Sequence, residues 1–334
     1  MEVERMFRDI PKSENHFLCR YGLALLMATI IVVAAFSLLA FAQESKQRKF
    51  GSPEDAFRAL VEATENNDTK ELLLIFGPEG RDVVLSGDAV ADRTARERFV
   101  KASREAIKFS KLDEKTVLPL IGKDECSFPI PIVQSAQGWV FFTEEGKQEI
   151  LNRRIGRNEL NTIQVSLSYV DAQREYARKD RNGDGVLQYA QRFLSGKGKK
   201  DGLYWEAGPA DEKSPMGPLF ARATEEGYTF GKKGEKHSPY HGYYFKMLKS
   251  QGSSAPGGEF DYVLSGKMVS GFALVAYPAE YGVSGIMTFM VNQQGVVYER
   301  DLGPKTGEIA KAMTKYDPDK TWKKVEQAST AEAR

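Results

Sequence analysis

Two cysteines and three histidines in 334 residues leave little material for thiol or imidazole chemistry. Cys19 precedes a long apolar run, so a chain cleaved after that run keeps only Cys126, which allows no internal disulfide and no thiolate metal site. The same cleavage leaves His237 and His241, spaced like a helical metal pair but separated by Pro239, which no helix interior accepts. With no third histidine nearby, zinc is not expected. The formal net charge is +1, so there is no excess of one sign to draw the chain to nucleic acid or to a strongly acidic partner. Neither Gly-x-Ser-x-Gly nor His-Glu-x-x-His occurs, and Cys126 has no histidine partner in the sequence pattern. The Gly/Lys stretch from Ser195 to Gly202 lacks the Gly-Lys-Ser/Thr ending of a phosphate cradle and reads as surface.

What is present begins with an uncharged run, Tyr21–Ala42, directly after Arg20. It ends in Ala40-Phe41-Ala42, a small-x-small cleavage pattern, and is also long enough to span ~30 Å of hydrocarbon. Residues 1–42 are therefore expected to be an export signal or a membrane anchor, the only part of the chain that touches a membrane. Residues 43–50 are a linker. The remainder, 41% hydrophobic and 28% charged over the whole chain, suffices for two modest domains, expected at 51–150 and 151–326, with a polar tail at 327–334.

In the first domain Ser52-Pro53-Glu54-Asp55 is a strong helix start, with Ser52 as cap and Pro53 at the first helical position. Helices are expected to about Asn66, over Thr69–Phe76, and from about Asp88 to Arg104. Strands follow at Thr116–Ile121, Cys126–Val133 and Gly138–Phe142. Phe128-Pro-Ile-Pro131 makes the middle one an edge or a bulge, because proline cannot donate to a ladder. Helices over a small curved antiparallel sheet resemble the cone-shaped domain of nuclear-transport-factor-2 type.

The second domain centres on Gly156–Leu194. A helix from Thr143 to about Arg154 is expected to break at Gly156, before a long helix with an apolar stripe at Leu160, Ile163, Leu167 and Val170, widened by Val165, Tyr169, Ala172 and Tyr176. The period stops at Asp180-Arg-Asn-Gly-Asp-Gly185, and a short helical pattern, Tyr189–Leu194, follows. Asp180, Asn182 and Asp184 match the first, third and fifth positions of a calcium loop. Val186 would add its carbonyl and Leu187 would fill the apolar slot. The twelfth position is Gln191 rather than a bidentate Glu, and Arg181 cancels part of the charge, so calcium would bind in the weak ~10⁻⁴–10⁻³ M class. The metal-free reading is an Asx/Gly turn. Strands are expected at Gly242–Lys249, Phe260–Leu264, Gly271–Tyr277 and Ile286–Asn292, with a hairpin over Gln293-Gln294-Gly295 to Val296–Arg300. The whole is of the α+β class.

The segments SGDAVADRTARERFV, FPIPIV, GWVFFT, QEILNRRIGRNEL, YVDAQREYA, DGVLQYAQRF, DGLYW, PYHGYYFKML and GFALVAYPAEYGVSGIMTFMVNQQGVVYERDLG resemble the bacterial "domain of unknown function 2950" family over nearly all of Phe50–Trp322. That resemblance implies an exported protein of Gram-negative bacteria, placing it in the periplasm or on the inner membrane, and no assigned activity. The second half is also similar to the head domain of type IV pilin-like proteins. About a hundred residues separate its long helix from the apolar run, where a pilin has one continuous helix, so assembly into a pilus is not implied.

Arg153, Arg154 and Arg157, with Tyr240, His241 and Glu280, form a possible rim for an anionic ligand, against the plainer reading of salt bridges and core aromatics. The leading expectation is a non-enzymatic envelope binding or scaffold module. The rival is a cell-wall hydrolase using Glu159, Asp171 or Glu280 in a cleft between domains.

Overall fold

The computed structural model describes residues 47–229 and 238–326. The apolar run, the first half of the linker, His237 and the polar tail lie outside these residues. Among the described residues no helix is long and apolar enough to cross a membrane. The chain divides into two units, residues 47–84 with 93–150 and residues 85–92 with 151–326, each taken by itself below.

In the first unit α1 (Pro53–Glu65) starts as its sequence demands, with the Ser52 side chain accepting from Asp55 N and Pro53 at the first turn. Helix α2 (Thr69–Phe76) ends at Gly77, whose φ is +72°. A single turn, α3 (Arg81–Val84), was not expected. Helix α4 (Ala89–Glu105) begins after four intervening residues, its first turn belonging to the second unit. The sheet runs β1 (Ile107–Lys111), β2 (Thr116–Ile121), β4 (Ile132–Ser135), β5 (Gly138–Phe141), with β3 (Cys126–Ser127) also paired to β2 and all pairs antiparallel. Strand β1 is a further strand, with the alternation Ile107, Phe109 against Lys108, Ser110. The expected strand Cys126–Val133 is two short pieces, because Pro129 and Pro131 supply no N–H between them. Cys126, at the start of β3, is disulfide-bonded. Phe57 anchors the core, its ring 5.9–6.1 Å from those of Phe99, Phe109 and Phe128.

Helix α5 (Thr143–Tyr176) corrects the expected break at Gly156: it is continuous through that glycine. A glycine inside a helix costs only about 1 kcal/mol against alanine, and the stripe that follows supplies far more by burial. Val165, Tyr169, Val170, Ala172 and Tyr176 are buried, whereas Leu160, placed in the stripe by its spacing, is 65% exposed.

In the second unit these residues pack on a five-stranded antiparallel sheet in the order β15 (Lys323–Lys324), β13 (Tyr298–Asp301), β12 (Met287–Asn292), β11 (Ala273–Pro278), β6 (Tyr243–Leu248). Tyr169 donates to Ala273 O (3.2 Å), tying the helix to the sheet. Beside it lie a three-stranded sheet of β14 (Lys315–Tyr316), β7 (Ser250–Gln251) and β8 (Phe260–Asp261), and a hairpin of β9 (Val263–Leu264) with β10 (Lys267–Met268). Two short helices complete the unit, α6 (Gly217–Glu225) and α7 (Thr306–Ala312).

The expected helix Tyr189–Leu194 is absent. Tyr189 bridges to Met268 and Leu194 to Tyr204, so both residues lie in isolated ladder contacts. Six residues hardly exceed a helical nucleus, and the strand contacts satisfy backbone groups that the helix would have left free. Helix, loop, helix is therefore helix, loop, extended chain.

Candidate functional site

The acidic loop is wound by its own first carboxylate. Asp180 accepts from the backbone N of Asn182 (3.1 Å), Gly183 (2.8 Å) and Gly185 (2.7 Å), and these bonds hold its carboxyl below the usual range. Gly183 and Gly185 take positive φ, which the winding needs. Asp184 accepts from Val186 N and lies 3.0 Å from Lys267 Nζ, while Gln191 Nε2 donates to Gly266 O (2.7 Å). Leu187 points away from any apolar slot, at 58% exposure. Arg181 leaves the loop: its guanidinium lies 4.7 Å over the Tyr176 ring and pairs with Glu212 at 3.3 Å. Among the described residues, no three His, Cys, Asp or Glu side chains stand close enough together to hold a metal.

Of the carboxylates of the hydrolase reading, Glu159 and Asp171 do not meet. Glu159 Oε1 accepts from the backbone N of Ile286 and of Met287, 2.9 Å each, and so moors α5 to the start of β12. Asp171 sits on the same helix, in an exposed pair with Arg174. Twelve residues of helix separate the two, about 18 Å. Glu280 lies in the turn after β11, where its backbone N donates to Ser284 Oγ (3.0 Å) and Ser284 Oγ donates to its carbonyl (3.1 Å).

Of the rim residues, the fold gathers Tyr240, His241 and Glu280 around one point, a turn that sequence reading took only as a strand lead-in. Tyr240 and Tyr243 exchange backbone hydrogen bonds of 2.9 and 3.1 Å, and the two residues between them have φ of +49° (His241) and +76° (Gly242). This is the hairpin turn of the primed type, for which Asn-Gly is favoured. A left-handed histidine costs on the order of 1 kcal/mol. The glycine is enforced sterically as well, since a Cβ on Gly242 would lie 2.6 Å from Asn158 Nδ2. Asn158, on α5, donates to Ser284 O (2.8 Å), and Ala279 N donates to Gly242 O (2.8 Å), so helix and both turns converge there. Arg153, Arg154 and Arg157 lie on α5 within five residues of Asn158, and each already has an interaction partner.

Beneath the turn is a buried carboxylate that the sequence marked only as a helix start. Asp88 Oδ1 caps α4 by accepting from Val90 N (3.1 Å) and Ala91 N (3.0 Å). Its Oδ2 accepts from Tyr228 OH and from Gly242 N, both 2.9 Å. The Tyr228 hydroxyl in turn accepts from His241 N (3.2 Å), and burial together with Asp88 pushes that hydroxyl's pKa up.

His241 Nε2 lies 3.1 Å from Glu226 Oε2, a charge contact rather than an aligned hydrogen bond. Glu226 Oε1 accepts from Arg222 Nε (3.1 Å). Burial tends to raise the Glu226 carboxyl, but His241 and Arg222 beside it hold it below the ordinary range. The Tyr240 ring packs on the imidazole at 4.2 Å, and burial, with Glu226 beside it, pushes its hydroxyl up. The His-Gly pair between tyrosines was a readable turn signal; nothing in the sequence linked it to Asp88, Glu226 or Tyr228.

Chemically, Asp88 has its acceptor capacity engaged and is a fastener. The charge contact of the centre is His241 with Glu226, and among the described contacts no hydroxyl or thiol nucleophile is bonded to that imidazole. In the first unit, a groove of about 420 Å³ between α1 and α4 is lined by charges of both signs, Glu65, Arg96, Glu97, Lys101 and Arg104 among them, and by none of the residues singled out above.

Fold and site together define an α+β protein in which an interlocked carboxylate, tyrosine and histidine centre fastens a hairpin turn. The chain belongs to the family described as protein of unknown function (DUF2950), whose model matches residues 47–325. No curated protein matches the chain, and no solved structure does. The likenesses to the nuclear-transport-factor-2 and pilin types therefore have no solved counterpart behind them, and the α+β class is what stands.

Proposed function

We propose that this chain is a non-enzymatic binding or scaffold protein of the cell envelope, exported by its N-terminal segment, with an envelope component and not nucleic acid as its partner. The observation that carries this reading is the commitment of the candidate carboxylates. A glycoside-cleaving pair must stand about 5–9.5 Å apart across a substrate, whereas Glu159 is spent on two backbone amides and Asp171 is about 18 Å along the same helix. The test is incubation of the full chain with purified cell-wall sacculi. Sedimentation with the sacculi and no soluble fragments supports a binder. Released fragments, lost in Glu159→Gln or Glu226→Gln, overturn it in favour of the hydrolase. Fractionation of cells and sequencing of the mature N-terminus test export and cleavage after Ala42.

Calcium in the acidic loop is the second reading, favoured by the left-handed Gly183 and Gly185, which wind the six residues tightly around Asp180. The ion would take Asp180, Asn182, Asp184 and the Val186 carbonyl, displacing Lys267 from Asp184. Binding to the folded state alone adds RT ln(1 + [Ca²⁺]/Kd), about 2.7 kcal/mol at a hundred times Kd. Melting that is unchanged between calcium and chelator, in the full chain and in Asp184→Ala alike, reduces the loop to a turn.

A further inference from the structure

We propose that Asn182 is a site of spontaneous conversion to aspartate and isoaspartate, and that Asp180 holds the rate of that conversion down. Asn182-Gly183 is the single Asn-Gly pair of the chain. The chemistry favours glycine as the following residue, because the attacking atom is its backbone nitrogen and no Cβ stands in the way. Gly183 N forms a bond to Cγ of Asn182, and the side-chain nitrogen leaves as ammonia, taking the Gly183 amide proton with it. Water then opens the cyclic imide. Cleaving the new N–Cγ bond gives aspartate. Cleaving the original peptide bond instead gives isoaspartate, in which the backbone runs through the former side chain. Nothing is oxidised or reduced, and either route leaves one added carboxylate.

Packing does not shield the pair. Asn182 and Gly183 are both exposed, and a Cβ built on Gly183 would meet nothing within 4 Å. The side-chain amide of Asn182 takes no part in the bonds that wind the loop. The restraint is Asp180. Its Oδ1 accepts from Gly183 N (2.8 Å), the atom that must attack, and from Asn182 N (3.1 Å), while Oδ2 accepts from Gly185 N (2.7 Å) beyond them. Closing the imide removes the Gly183 proton, so that bond to Asp180 is lost, and negative charge develops on the nitrogen beside a carboxylate. Both raise the barrier. The loss of one hydrogen bond to a charged group corresponds to roughly a ten- to hundredfold change in rate. Isoaspartate adds one atom to the backbone between positions 182 and 183, which takes the two glycine amides out of register with Asp180. Conversion therefore marks chains whose loop has unwound.

The experiment incubates the full chain in mildly alkaline buffer, below the melting temperature of every variant compared. Mass spectrometry of the peptide containing Asn182 reads the amide-to-acid mass gain, and chromatography separates its aspartate and isoaspartate forms. Asp180→Ala is expected to convert roughly ten- to a hundredfold faster than the parent. Asp180→Asn, which keeps an acceptor oxygen without the charge, should fall between them. Equal rates in the parent and Asp180→Ala overturn the proposal. So does a slower rate in Asp180→Ala, which would make the carboxylate a base for the attack. Should Asp180→Ala not fold, the parent unfolded in urea supplies the unheld rate. Conversion faster in urea than in the folded parent supports the proposal, and conversion no faster there, or none at all, overturns it.

Discussion

Removing the Asp88 carboxylate should be among the most damaging single changes in the second unit. Asp88→Ala deletes a helix cap, worth about 1 kcal/mol. It also leaves Tyr228 OH and Gly242 N, both buried and 2.9 Å from Oδ2, without an acceptor, at about 1–3 kcal/mol each. These groups share one carboxylate and are not additive, so about 3–6 kcal/mol is expected. That corresponds to a fall of at least roughly 6 °C in melting temperature. Asp88→Asn keeps an oxygen for the α4 amides but turns an amine toward Gly242 N–H, and should cost about half as much. Tyr228→Phe removes one donor to Asp88 and the acceptor of the partly buried His241 N–H, about 1–2 kcal/mol. Urea unfolding of the full chain carrying Trp139→Phe reads this directly, because the remaining tryptophans, Trp205 and Trp322, are both buried in the second unit. An unchanged m-value with a shifted midpoint identifies a stability effect. If Asp88→Ala lies within about 1 kcal/mol of the parent, or if the order Ala, Asn, Phe is reversed, the carboxylate is not the fastener described.

Gly285→Ala should destabilise by about 1–3 kcal/mol or more, because a Cβ there would sit 2.5 Å from Cζ of Tyr243, whose buried ring is held by its bond to Met287 O; thermal melting equal to the parent would contradict this. Glu159→Leu strands the amides of Ile286 and Met287 and should cost about 2–4 kcal/mol, read as faster hydrogen exchange at both. Glu212 is held down to about 2 by hydrogen bonds from Lys179 and Lys200, with Arg181 close by. A carboxyl depressed on folding stabilises above its unfolded pKa, so this contribution should fade as pH falls from about 4.5 towards 2, and Glu212→Gln should flatten that part of the acid-unfolding curve. The group is partly exposed, so the loss should stay below about 1 kcal/mol.

The sequence by itself determined what depends on neighbours in the chain. Ser52-Pro53 starts α1, Gly77 stops α2, the prolines of Phe128–Pro131 split a strand, and Gln293-Gln294-Gly295 turns β12 towards β13, because caps, ring closure and left-handed glycine act within a few residues. The α+β class follows from the same local signals. Tertiary structure alone decided whether Gly156 breaks a helix, since a cost of about 1 kcal/mol is outweighed by burial further along. It also decided that Tyr189–Leu194 is extended, because its hydrogen-bond partners, Met268 and Tyr204, come from elsewhere in the fold. The centre at His241 was the least legible. Asp88 meets Tyr228 and Gly242 across 140 and 154 residues, and contacts at such separations leave no period, spacing or cap by which a sequence could announce them.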